Sequence, residues 1–191
     1  AEAVGRDAAL VVEGPVVGEL EAIFARTWRR LSRDRRIVVA RLEKPRGRVW
    51  VLANRIDPRA RRSIRALYTS ATRSAQSSVE LAVAYFLPGR QLIAALSRAA
   101  RRGVAVGVVV PEKSDVRLVD LACSSLLGKL LRAGVRVFLY RDRILHSKTA
   151  VFDRRLVTIG SHNLDALSWR FNLECNLAVD GAAFGGVVRP S

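Results

Sequence analysis

Between residues 79 and 140 the chain alternates short apolar runs with longer helical stretches, and a backbone breaker closes almost every one. Residues 79–86 (VELAVAYF) have the length and β-branched content of a buried strand and stop at Pro88-Gly89. Residues 91–102 read as a helix closed by Gly103, residues 104–110 (VAVGVVV) as a strand ended by Pro111, residues 118–133 as a helix closed by Gly134, and residues 135–140 (VRVFLY) as a third strand. A continuous apolar run of this length is apolar on both faces, which suits a strand covered on both sides. Glycine just past a helix supplies the left-handed residue that ends it. Strands separated by crossover helices pair in parallel, so this region predicts an α/β layered fold.

The flanks modify that frame. Residues 58–76 predict one more helix, and residues 148–152, 157–159 and 173–179 predict three clustered strands with little helix between them. The expected product is a mixed β-sheet flanked by helices. Toward the N-terminus, residues 8–13 read as a short strand and Gly14-Pro15 as a turn. Residues 16–28 then read as a helix, with Val17, Leu20, Ile23 and Phe24 at helical spacing. Residues 29–47, Arg-rich with Pro45 and Gly47, suit a solvated connector, and residues 48–53 suit a strand.

A chain of 191 residues buries one sizeable core. No apolar run reaches the roughly 18 residues that cross a bilayer, and no charged-then-apolar leader opens the sequence. Methionine is absent, as expected of a processed chain or a piece of a longer protein. The formal charge of +16 favours polyanionic partners such as nucleic acid, anionic lipid headgroups and phosphorylated substrates. Only four of the 33 basic residues are Lys (Lys44, Lys113, Lys129, Lys148), a skew toward Arg that genome base composition also produces. The charge does not choose between DNA and lipid, because both present phosphates. Cys123 and Cys175 stand apart from one another and from any Cys or His cluster, so they read as small buried hydrophobes and no zinc site is expected.

The chemistry is concentrated between residues 146 and 174. His146-Ser147-Lys148 leads, five residues on, to Asp153; Gly160-Ser161-His162-Asn163 and Asn172-Leu173-Glu174 follow. On a strand, positions i and i+2 share a face, so His146 and Lys148 present an imidazole and an ammonium to one wall. Gly160 permits close backbone approach to a ligand, Ser161 and Asn163 offer side-chain donors, and Glu174 offers an acceptor for an imidazole Nδ1. The segment 164–169 begins a short helix whose N-terminus suits a phosphate. Phosphodiester transfer needs a nucleophile at phosphorus, an acid for the leaving oxygen, and donors for the non-bridging oxygens. An imidazole of ordinary pKa near ~6.5 serves as nucleophile or as acid, and both in one step require two histidines. This chain has His146 and His162 alone, and His162 holds the variable position of its motif. Taken singly, each residue is an ordinary strand polar group or turn; the order and spacing together carry the reading.

The pattern HxKxxxxD followed by GSxN resembles the phospholipase D superfamily. The likeness extends over about residues 75–180 and most resembles the C-terminal half of bacterial cardiolipin synthase-like proteins. Residues 84–88 (AYFLP) resemble the "PYFxP" segment, residues 99–110 (AARRGVAVGVVV) the "A-x-RGVxVxxxxP" unit, and residues 163–168 with 172–176 the "NLDxxS…NxExN" tail. Many members carry Arg where Leu167 stands. Arg6-Asp7, Glu13-Gly14-Pro15, Phe24 and Trp28 resemble the segment that closes the first half of such proteins. The expected division is therefore 1–54, the tail of a preceding half plus connector, and 55–191, one phospholipase D-like domain.

The resemblance implies a phosphatidyltransferase working through a phosphohistidine, with one HxKxxxxD motif from each of two halves. His146 would be the acid/base member of the histidine pair. Lys148 and Asn163 would bind phosphate oxygens, with Ser161 assisting. Asp153 would support the site, and Glu174 would orient His146. The resemblance implies no metal ion and no cofactor. Its partners would be a phosphatidylglycerol-like anionic phospholipid, a membrane surface and a second half. That half would lie upstream in the same chain or come from a dimer. The expected place is peripheral, on the cytoplasmic side of a bacterial inner membrane. The alternatives are a homodimeric phosphodiesterase acting on nucleic acid, as the single motif and the +16 charge would suit, and an inactive half that binds anionic lipid.

Overall fold

The structure, a computed structural model, describes residues 6–32, 48–54, 63–112, 117–141, 144–165, 168 and 172–181. Its strands are β1 (Val49–Ala53), β2 (Ser78–Val83), β3 (Ala105–Pro111), β4 (Arg136–Tyr140), β5 (Lys148–Phe152), β6 (Leu156–Gly160) and β7 (Cys175–Asp180). Its helices are α1 (Pro15–Ser32), α2 (Ser63–Ser74), α3 (Arg90–Arg101) and α4 (Arg117–Arg132). All seven strands join in one sheet of order β1-β7-β6-β5-β2-β3-β4. β2, β3 and β4 are parallel, as the crossover helices require, and the pairs β2–β5, β5–β6, β6–β7 and β7–β1 are antiparallel. The α/β class and the mixed sheet are those expected.

Helices α2, α3 and α4 cover one face. Ile64, Tyr68 and Ala71 of α2, and Leu92, Ala95, Leu96 and Ala99 of α3, recur at helical spacing and are buried. They meet Val79, Leu81 and Val83 of β2, Val106, Val108 and Val110 of β3, and Ala150 and Phe152 of β5. Gly103 and Gly134 follow α3 and α4 with φ of +90° and +91°, the left-handed conformation expected of them. On the other face, α1 covers the β1–β7 edge, where Glu19 accepts the Val51 N–H at 3.2 Å. Opposite β2, β3 and β4 that face is an open cavity of about 570 Å³, lined by Glu80, Gly107, Val109, Phe138 and Thr149 among others.

Several expectations change. Residues 8–13 do not form a strand; the pairing falls instead on Arg6, whose N–H reaches Ile144 O at 2.7 Å and whose carbonyl accepts the His146 N–H at 2.8 Å. Beyond that bridge the segment is solvated, with Val11 90% exposed, so it lacks the burial a strand needs. Helix α1 runs four residues past the expected end, taking in Arg29 and Arg30 as the cations of its last turn. The expected domain boundary at 54 falls just after β1, and β1 is hydrogen-bonded along its length to β7. Residues 33–47 of the expected connector, and 58–62 of the expected helix, lie outside the described residues.

Candidate active site

The site residues converge on one edge of the sheet because of the register. Lys148 opens β5 opposite Val83, the last residue of β2. Gly160 closes β6 opposite Asn176, the second residue of β7. The C-terminal end of the parallel strands, the turn after β6 and the turn before β7 therefore share one edge, where ligands of open α/β sheets usually bind. An open cleft of about 600 Å³ lies there, lined by Asp7, His146, Lys148, Ser161, Asn163 and Cys175 among others.

His146 sits just before β5 and is held by the Arg6 carbonyl through its backbone N–H. Its Nδ1 lies 2.8 Å from Asp7 Oδ2, with both side chains more than half exposed. The sequence reading gave this place to Glu174, which in this structure bonds Ser161 and Asn172. Partial burial pushes the Asp7 carboxyl up, but hydrogen bonds from His146 and the Ala8 N–H, with the nearby charges of His146 and Lys148, outweigh it and hold Asp7 below the ordinary carboxylate range. The Asp7–His146 contact spans 139 positions. Its one signal in the sequence is the Arg6-Asp7 pair within the N-terminal resemblance.

Lys148 is buried and donates to the His146 carbonyl. Desolvation lowers its pKa, and the charges of Asp7 and Glu174 offset part of that. The ammonium thus lies in the field of two carboxylates at the cleft wall, with few waters to screen a bound phosphate.

Glu174 lies one position before β7 and is also buried. It accepts the Ser161 hydroxyl at 2.5 Å and the Asn172 amide at 3.1 Å. Ser161 accepts in turn from the Cys175 N–H at 3.1 Å. The Ser161 proton is therefore committed to Glu174. Asn163 lines the cleft, and its Oδ1 is buried with no hydrogen-bond partner among the described residues. Gly160 lines the cleft and also admits the backbone of β7: a Cβ there would sit 2.3 Å from the Cys175 carbonyl and 2.5 Å from Asn176 Cα.

His162 is fully buried behind the cleft, and burial lowers its pKa, which favours the neutral imidazole. The His162 backbone N–H donates to Asn176 Oδ1 at 3.1 Å. Asn176 also reaches the Tyr68 hydroxyl at 3.4 Å, which lies 2.7 Å from Thr158 Oγ1. Burial pushes Tyr68 up to about 12. This network stiffens the strand ends beneath the cleft. Asp165 accepts the Ser168 N–H at 2.8 Å in the geometry of a helix cap, and the remainder of the expected helix lies outside the described residues.

Asp153 is elsewhere. It follows β5 at the opposite edge of the sheet, five residues or about 16 Å along an extended chain from Lys148. Its carboxylate accepts the backbone N–H groups of Gln76, Ser77 and Ser78 and the Ser77 hydroxyl. It pins the β5–β6 turn to the α2–β2 loop and does not line the cleft that holds His146 and Lys148. Among the described residues, no three His, Cys, Asp or Glu side chains converge as metal ligands would.

The ends of the α/β sheet thus gather an imidazole–carboxylate pair, a buried lysine and an amide around one cleft. Residues 68–188 match the family described as cardiolipin synthase, PLD-like domain, and the chain belongs to that family. It is 33% identical to cardiolipin synthase B of Shigella flexneri, the match covering 96% of this chain and 46% of that protein. It is 34% identical to probable cardiolipin synthase YwiE of Bacillus subtilis, covering 90% of this chain and 35% of that protein. The chain thus spans less than half the length of these relatives. In fold it is similar to Nuc of Salmonella typhimurium, a phospholipase D family member, with a TM-score of 0.62 at 24% identity over 73% of this chain and 87% of that one.

Proposed function

We propose that this chain supplies one half of the active site of a cardiolipin synthase-type phosphatidyltransferase. The observation that carries the reading is the state of its two histidines. His146 is open to the cleft with Nδ1 tied to a carboxylate, which leaves Nε2 for chemistry, while His162 is sealed in the core. A double displacement needs a second accessible imidazole, and a second half must provide it, upstream in the same protein or in a dimer.

In the first step the partner imidazole attacks phosphorus. An N–P bond forms, the bond to the departing glycerol oxygen breaks, and His146 gives that oxygen its proton. In the second step His146 takes the proton of an acceptor hydroxyl, whose oxygen attacks phosphorus and releases the imidazole. Lys148 and Asn163 hold the non-bridging oxygens as charge builds. Asp7 fixes the His146 tautomer and stabilises its cation. Glu174, engaged by Ser161 and Asn172 and close enough to act on Lys148, is left to face the incoming half. Asp7 belongs to the segment that resembles the end of a first half, and Glu174 stands at the end of this one. We read the two carboxylates as exchanged, each steadying the other half's histidine.

The substrate is an anionic phospholipid at a membrane surface. Among the described residues, no helix is long and apolar enough to cross a membrane. We read binding as peripheral, on the cytoplasmic face, with about 1 kcal/mol from each basic residue close to an anionic surface. Incubating the full-length protein with phosphatidylglycerol is expected to yield cardiolipin and glycerol, and His146→Ala to abolish both. Glycerol released without cardiolipin would sink the transfer step. The net charge of +16 favours a second reading, a nucleic-acid phosphodiesterase, which His146-dependent DNA nicking without lipid turnover would establish in its place.

A further inference from the structure

We propose that the groove between α1 and the β1–β7 edge holds an acyl chain of the phospholipid whose phosphate meets His146 and Lys148. The inference rests on the phosphatidyltransferase reading and adds to it where the hydrocarbon goes.

The groove has a volume of about 380 Å³, and its walls include Leu20, Ile23, Phe24 and Thr27 of α1, with Leu173 and Cys175 across from them. Its polar wall atoms are largely turned to other uses. The Thr27 hydroxyl donates to the Ile23 carbonyl at 2.9 Å. The Glu174 oxygens accept from Ser161 and Asn172. Asn54, also in the wall, donates its amide to the Ser168 carbonyl at 2.9 Å and keeps a buried Oδ1 with no partner among the described residues; apart from that atom and the bordering Arg26 and Arg30, what faces the groove is mostly carbon, which suits hydrocarbon better than a sugar or a nucleotide.

Continuity with the catalytic cleft identifies the occupant. Leu20 and Cys175 line both the groove and the cleft that holds His146 and Lys148. A ligand with its phosphodiester against those two residues therefore has an apolar channel beginning at the next wall. Arg26 and Arg30 also border the groove. Beyond them Phe24 is 67% exposed, Trp28 52% and Leu31 66%, the two rings stacked with centroids 5.9 Å apart. Cations beside an apolar slot, with aromatic and aliphatic side chains at its outer end, match a lipid drawn partly from an interface.

The test uses the full-length protein and two substrates with one headgroup, dioleoyl phosphatidylglycerol in mixed micelles and deacylated phosphatidylglycerol. Ile23→Trp fills the groove. Leu173→Asp, at a position 48% exposed and so tolerant of a polar group, places a charge in its wall. Each buried methylene contributes about fourfold in affinity, so excluding two or more is expected to lower the ratio of long-chain to chain-free turnover at least tenfold in both variants. Turnover of the chain-free substrate also reports that each variant folds. An unchanged ratio in Leu173→Asp overturns the proposal. So does equal loss on both substrates, which would assign the groove to contacts with the second half. If the wild-type protein makes no cardiolipin, the phosphatidyltransferase reading falls first and this one with it.

Discussion

Replacing Asp153 separates two readings of a motif residue. The carboxylate accepts three backbone N–H groups, from Gln76 at 3.0 Å, Ser77 at 2.7 Å and Ser78 at 3.0 Å, and the Ser77 hydroxyl at 3.0 Å. Buried charge-assisted bonds contribute about 1.5–3 kcal/mol each. Here water reaches the turn, so about 1 kcal/mol for each backbone bond is the fitting scale. Asp153 also holds a φ of +51°, a conformation Asn tolerates and Ala does not. Asp153→Asn keeps a carbonyl acceptor and the backbone fit, for a loss of about 1.5 kcal/mol. Asp153→Ala loses every bond and adds backbone strain of about 1 kcal/mol, for about 4 kcal/mol in all. Urea unfolding followed by circular dichroism measures both. Partial burial pushes the carboxyl up, but the N–H groups outweigh it and hold Asp153 below its ordinary value. A depressed folded-state pKa contributes stability above the unfolded value and loses it as pH falls through the folded one. The gap between wild type and Asp153→Asn should therefore be full at pH ~7 and close progressively below pH ~4. Turnover of the folded Asn variant should stay within about twofold of wild type, since the side chain lies ~16 Å from Lys148. A hundredfold fall in kcat with unchanged stability would refute this assignment.

Asp7→Asn should lower kcat about ten- to hundredfold with little change in KM, because it loosens the acid/base histidine without touching phosphate. The wild-type advantage should persist down to pH values below the ordinary carboxylate range, since Asp7 is held down there; equal pH profiles for kcat in the two proteins would remove Asp7 from the site. Gly160→Ala forces a Cβ into β7 backbone atoms 2.3 and 2.5 Å away, so the β6–β7 ladder must part. A loss of roughly 3 kcal/mol is expected, and an unchanged melting temperature would show that the approach is looser than described.

Much of the architecture is legible locally. The strands β2, β3 and β4 and the helices between them follow from runs of five to eight apolar residues and from the glycines at 103 and 134, because a periodicity of two or 3.6 records which face of a short element is buried. The grouping of the cleft residues is legible too: His146, Lys148 and Asn163 fall within 18 residues of sequence, joined by a strand–turn–strand unit that brings its ends to one edge. What local pattern cannot state is which carboxylate meets which base. Asp7 reaches His146 across 139 positions, Glu174 turns to Ser161 across 13, and Asp153 closes on residues 76 to 78. Each of those pairings is set by sheet register and by where a distant segment crosses the strand ends. An acidic residue carries the same charge wherever it stands, so only the assembled fold decides whether it tunes a histidine, steadies a serine or pins a turn.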